Sequence, residues 1–185
     1  MLFRSAQSQA YALVEDRRGY LWVGTRGGGL CRFDGERFRT YNTRDGLASN
    51  YLLALHEAPD GRLWIGTDHG VSRFDGLTFS SLRLREDRPV PVQAIVVRHD
   101  SLAWLGSSEG LYRHDGHSTQ RVALPGPRPH AAVATLWPEG ERLWVGHEGG
   151  LSCWENGQWR HYDQAQGLPR TTITALLRDS TGRLW

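Results

Sequence analysis

An alanine followed ten residues later by a tryptophan occurs five times in this chain: Ala12–Trp22, Ala54–Trp64, Ala94–Trp104, Ala134–Trp144 and Ala175–Trp185. Successive tryptophans are 42, 40, 40 and 41 residues apart. A period near 40 residues without helical spacing points to β-structured units arranged radially or as a solenoid. With 185 residues, the chain has room for one domain with its own core.

Each unit divides into four strand-like runs. In the first these are "YALVED", "LWVGT", "LCRF" and "RFRTY", and a Gly-containing corner ("RGGG") separates the second from the third. Asp34-Gly35, Asp75-Gly76, Asp115-Gly116 and Asn156-Gly157 then mark two-residue hairpins before the fourth run. Four short strands joined by tight turns, with a longer connector to the next unit, make one blade of a β-propeller. The expected fold is therefore all-β, with blades over about 12–50, 54–90, 94–130 and 134–171 and the start of a fifth at 173–185. These residues leave no room for a closed ring of the usual size. The chain reads as a partial, open propeller of about four to five blades and as a piece of a longer one, with "LFR" near the N-terminus as the last strand of a preceding blade.

In "LWVGT" the tryptophan and the glycine two residues on face the same side of a strand. Both faces of a blade are covered by neighbours, so Trp22, Trp64, Trp104 and Trp144 are expected to be structural. Each would remove ~150–250 Å² from water, or ~4–6 kcal/mol at ~25 cal/mol per Å². Gly24, Gly66, Gly106 and Gly146 would then leave space for a ring or backbone from the adjacent sheet.

The unit "EDRRGYLWVGTRGGGLCRFDGERFRTY", with "DGLASN" at 45–50 as its connector, resembles the two-component regulator propeller repeat of bacterial sensor proteins. The residues carrying the resemblance are Asp16, Gly19, Leu21, Trp22, Gly24, Thr25, Gly29, Leu30, Phe33, Asp34, Gly35, Phe38 and Tyr41. The second copy matches nearly as well, the fourth is fair and the third is weakened. WD repeats share the period, but no Trp-Asp pair closes a strand here. The quinoprotein motif sets its Thr-Gly pair one residue farther from the tryptophan. The resemblance implies a ligand-sensing segment that is not itself an enzyme, placed in the periplasm or otherwise outside the cytoplasmic membrane. In the family a small β-sandwich, a membrane segment and a cytoplasmic histidine kinase, response-regulator or cyclase module follow. A protein-interaction scaffold and a lyase-type propeller enzyme using a His and a Glu are the alternatives.

Composition narrows the partners. All 22 basic residues are arginine, set against 20 acidic ones for a net charge of +2. Many of these arginines recur at fixed repeat positions, such as Arg62, Arg142 and Arg183, instead of forming a patch. That argues against nucleic acid and for solvated or inter-strand roles. No run of ~18 apolar residues suggests a membrane segment, and the first residues show no signal-peptide pattern. Cys31 and Cys153 fall at different repeat positions three units apart and are expected to be free thiols.

Propellers bind ligands on the face carrying the second-to-third-strand corners and the blade-to-blade connectors, which are the segments that vary here. The corners contribute Arg26, Asp68, His69, Glu109, His147 and Glu148; the connectors contribute Asn50, Tyr51, Arg88, His130 and Arg170. His147 stands where the other copies have Thr25, Thr67 and Ser107. A small molecule or oligosaccharide is the expected ligand, and further blades or a second copy are the expected protein partners. No cofactor, metal site or catalytic residue is expected; His147-Glu148 lacks the second histidine of a zinc-protease helix.

Overall fold

The computed structural model describes residues 9–98 and 102–185. The "LFR" segment and most of the "RHDS" turn lie outside them. Sixteen strands form four antiparallel sheets, each with its strands in chain order. Blade I comprises β1 (Ala10–Glu15), β2 (Leu21–Thr25), β3 (Leu30–Phe33) and β4 (Phe38–Tyr41). Blade II comprises β5 (Leu52–Glu57), β6 (Leu63–Thr67), β7 (Gly70–Phe74) and β8 (Phe79–Leu82). Blade III comprises β9 (Val92–Val97), β10 (Ala103–Ser107), β11 (Gly110–His114) and β12 (Thr119–Val122). Blade IV comprises β13 (Val133–Glu139), β14 (Arg142–His147), β15 (Gly150–Glu155) and β16 (Gln158–Tyr162). The first strands of successive blades are neighbours, and among the described residues no comparable contact joins blade IV to blade I. The sheets form an open arc of propeller blades. Residues 173–185 carry only an isolated bridge, Arg178 to Leu184, with Leu177 and Trp185 exchanging backbone hydrogen bonds beside it.

The core lies between blades. Three apolar clusters fill the seams I/II, II/III and III/IV. At each seam a tryptophan from one blade meets a side chain at the end of the next blade's third strand: Trp22 with Phe74 at 5.7 Å, Trp64 with His114 at 6.1 Å and Trp104 with Trp154 at 6.3 Å between ring centroids. Those three tryptophans are 4%, 6% and 3% exposed; Trp144 is only half-buried. Two residues further along the same strand, a Cβ on Gly106 would sit 2.7 Å from Val133 Cγ1, and one on Gly146 would sit 2.7 Å from the Ile173 carbonyl oxygen. The largest side chain of the strand and the missing one thus serve a single contact. The tryptophan reaches the neighbour's third strand, and the glycine admits the start of its first.

Arginines brace the seams in two ways. On the third strand, Arg32 lies 4.4 Å from the Tyr20 ring centroid and 5.9 Å from that of Trp22, and Arg73 lies 5.5 Å from that of Trp64, paired across strands in each case. In the turn after β1, Arg17 pairs with Glu57 of blade II at 2.8 Å and donates to the Ala58 and Pro59 carbonyls. Arg98 reaches from blade III to the Gly140 carbonyl and Glu141 of blade IV in the same manner. The turn aspartate also anchors the tryptophan: Asp16 accepts from the Trp22 indole N–H at 2.8 Å, Glu139 from Trp144 and Asp179 from Trp185.

The hairpins differ from the sequence expectation. In blades I–III the ladder ends one pair early, at Phe33–Phe38 in blade I, and Asp34 N–H still donates to Arg37 O. The tight turn is centred on the glycine and the residue after it, because the aspartate is occupied in accepting two backbone N–H groups with Oδ1. Only in blade IV does the two-residue loop fall where expected. There Asn156 (φ 50°) and Gly157 (φ 82°) link the paired residues Glu155 and Gln158. Cys31 and Cys153 are free and buried.

Candidate functional site

Corners and connectors lie side by side in every blade because the backbone laces them together. The first corner residue donates its N–H to the carbonyl just ahead of the blade's first strand: Arg26 to Gln9, Asp68 to Tyr51, Ser108 to Pro91 and Glu148 to Ala132, at 3.1–3.3 Å. Within the corners, Thr25, Thr67 and Ser107 donate to the carbonyls of Gly29, Gly70 and Gly110. The Thr67 and Ser107 hydroxyls also accept the N–H of His69 and Glu109.

On this face the sequence candidates are distributed along the arc. Arg26 packs over the exposed Tyr11 ring at 5.2 Å and faces Tyr51 across a bridge. Asn50 is committed to its own connector: its carbonyl accepts from Gly27 and Gly29, and its side chain accepts from Thr43 N–H. His69 and Asp68 pair with each other at 2.8 Å, and Arg88 pairs with Glu109 at 2.8 Å. His130 is exposed in the connector to blade IV.

Blade IV gathers the site. A cavity of about 670 Å³ is lined by Pro127, Arg128, Glu148, Gly149, Gly150, Asp163, Gln164, Pro169, Arg170, Thr171 and Thr172. Glu148 and Arg170 are the sequence candidates that line it. Arg128, 3.6 Å from Glu148, and Asp163 were not singled out by the sequence reading. Among the described residues Arg170 has no ion-pair partner. Asp163 caps a short 3-10 turn, Gln164–Gln166, by accepting from Ala165 N–H at 2.8 Å. The walls thus offer two guanidinium groups and two carboxylates beside threonine hydroxyls, a mixture suited to a polar ligand carrying both donors and acceptors.

His147 requires a correction. It is expected at the corner as a ligand-binding residue, but it ends β14 with its side chain 0% exposed. Its imidazole takes over the hydroxyl's task in the corner, accepting Gly149 N–H on Nδ1 at 3.0 Å. Behind it, Nε2 lies 2.8 Å from Ser152 Oγ, which is 3.2 Å from His161 Nδ1, and the two rings stack at 5.7 Å. Burial first, and the neighbouring His161 second, lower the His147 pKa to about 4. His161 replaces Thr40, Ser81 and Arg121 of the other blades at the same register. The copies share no residue type at this position, so the comparison that marks His147 gives no equal signal for His161. No group of three or more His, Cys, Asp or Glu placed to hold a metal occurs among the described residues.

Comparison with known proteins agrees with this architecture. The extracellular domain of the hybrid two component system BT4673 of B. thetaiotaomicron superposes with a TM-score of 0.79 at 18% identity, covering all of this chain and 27% of that one. The corresponding domain of BT3049 from the same organism gives 0.60 at 18% identity over 98% of this chain and 32% of that one. Virginiamycin B lyase of Staphylococcus aureus, solved as the catalytically inactive H270A form with quinupristin, gives 0.80 at 12% identity over all of this chain and 65% of the lyase. At these identities the likeness is one of fold, and the chain spans about a quarter of the BT4673 domain. No curated protein matches the chain. The two component regulator propeller family matches residues 5–27 and 46–69, the segments around Trp22 and Trp64. In these two segments the chain is similar to two component regulator propeller repeats.

Proposed function

We propose that this chain is the ligand-reading propeller segment of an extracytoplasmic two-component sensor and is not itself catalytic. The blade IV cavity carries the reading. It lies where corner and connector meet, is large enough for a small molecule or one end of an oligosaccharide, and presents both charge signs, with the Arg170 guanidinium in no ion pair among the described residues. The extracytoplasmic setting is carried over from the extracellular domains that share its fold. The non-catalytic reading is supported by the chemistry of the site. A lyase-type mechanism needs an imidazole open to the substrate; no histidine is among the residues lining this cavity, and His147 beside it is buried.

The test is thermal denaturation against a panel of neutral and acidic oligosaccharides and small carboxylates. A ligand at a hundred times its Kd stabilises by ~2.7 kcal/mol. The expected result is a shift with at least one compound that disappears when Arg128→Ala and Arg170→Ala are combined. A panel without any shift removes the sensing reading. A partner protein that co-purifies while small ligands do nothing would put the scaffold in its place.

A further inference from the structure

Blade IV holds a set of buried and half-buried polar side chains that do not line the cavity. Where blade II has Thr67, Ser72 and Ser81, blade IV has His147, Ser152 and His161. The first two hydrogen bonds in this set have a forced direction. Gly149 N–H donates to His147 Nδ1, so the proton of His147 sits on Nε2. That N–H donates to Ser152 Oγ, which leaves the Ser152 hydroxyl free to donate its own proton to His161 Nδ1. In that arrangement His161 carries its own proton on Nε2. This last donor is buried and has no partner, an arrangement that costs ~1–3 kcal/mol.

The nearest acceptor is Asp163 Oδ2, 3.7 Å from His161 Nε2. Asp163 uses Oδ1 to cap the 3-10 turn, leaving Oδ2 to face the imidazole. Gly126 stands against the same nitrogen: a Cβ there would lie 2.7 Å from Nε2. The carboxylate needs to move by less than the width of an atom to take the proton. Asp163 also begins the connector 163–172, which bounds the cavity through Asp163, Gln164, Pro169, Arg170, Thr171 and Thr172.

We propose that His147, Ser152 and His161 form a tautomer-locked latch whose last donor, His161 Nε2–H, closes on Asp163 Oδ2 and fastens the 163–172 connector along the cavity. Its regulatory meaning rests on the reading of that cavity as the ligand site, because a fastened connector fixes the position of Arg170. His147 and Ser152 touch neither the ligand space nor the connector; they are positioning residues that decide which nitrogen of His161 bears the proton.

Long-range 1H–15N NMR of the 185-residue chain at neutral pH tests the lock without any ligand. Both His147 and His161 are expected as Nε2–H tautomers. Amide exchange of Gly167 and Leu168, which donate to the Gln164 and Asp163 carbonyls, reports the strap. Asp163→Ser keeps a capping hydroxyl but cannot reach His161; exchange at these two amides should rise roughly tenfold with the tautomers unchanged. Ser152→Ala should let His161 sample both tautomers. His161 protonated on Nδ1 or averaging in the unmodified chain, or unchanged exchange in Asp163→Ser, overturns the latch. A ligand panel with no shift would remove the sensing reading while leaving these spectra to decide the latch, so the two failures can be told apart.

Discussion

Blades II and IV are built on one pattern, yet they spend their polar positions differently. Blade II closes its corner with a threonine, braces Trp64 with Arg73, buries that indole at 6% exposure and turns its last hairpin on Gly76 with Asp75 holding the backbone. Blade IV puts histidine at the corner, cysteine opposite Trp144, and Asn156-Gly157 in the hairpin. The difference follows from what each blade supports. Blade II is packed on both sides and needs its polar groups satisfied at short range. Blade IV borders the cavity, and its longer side chains carry a hydrogen-bonded path from the corner to His161, beside the connector. Where the repeat needs only packing, the copies agree; where it meets a cavity, they part.

The largest expected effect tests the packing half of that contrast. Trp64→Ala should destabilise the chain by ~3–5 kcal/mol in urea, since the ring fills the II/III seam against His114 and Arg73. Trp144→Ala should cost about half as much, because its ring is only half-buried and borders an open pocket with Leu151, Tyr162, Leu168 and Leu184. Equal losses would erase the distinction between the two blades, and a Trp64→Ala loss below ~1 kcal/mol would remove the seam as the source of stability.

A second prediction separates the corners. His147 has a pKa of about 4 in the folded chain against an ordinary value of 6.5. Between those two values the unfolded chain binds a proton that the folded chain does not, so stability falls as pH drops from 6.5 toward 4 and levels off below. The loss attributable to this group is up to about 3 kcal/mol. His56 and His114 are also lowered by burial and add losses of the same sign, so the informative quantity is a difference. Subtracting the pH profile of His147→Thr, which restores the corner of blade II, should remove the His147 share. Parallel profiles would mean that His147 is open to solvent.

How much of this could be read beforehand differs between the two halves. Periodicity of 2 within each run and of about 40 between runs locates the sixteen strands, because burial on both blade faces repeats the same residue types at the same register. The tryptophan–glycine pairing was legible for the same reason. The cavity was not. Its walls come from residues 127–128, 148–150 and 163–172, which are distant in the chain and brought together only by the lacing of corner to connector. The candidates Arg26, Asp68, His69 and Glu109 belong to the right face but pair locally along the arc. His147 was conspicuous as a departure from the pattern; its burial was not, because a side chain's direction at a strand end depends on which acceptor the corner lacks. Ser152 looked ordinary beside Ser72, and its role appears only once the register sets it opposite His161.

The smallest expected effect concerns the hairpins. Asn156 holds φ at 50°, a left-handed conformation that asparagine tolerates and alanine does not. Asn156→Ala should cost about 1 kcal/mol and Asn156→Gly only a few tenths, read from urea midpoints at constant slope. In blades I–III the positive φ instead belongs to Gly35, Gly76 and Gly116, and the preceding aspartate is held in ordinary backbone geometry by the two N–H groups it accepts. An alanine there loses acceptors without meeting strain. If Asn156→Ala is as stable as the parent, the blade IV loop has relaxed to the turn of its neighbours, and the two hairpin designs are one.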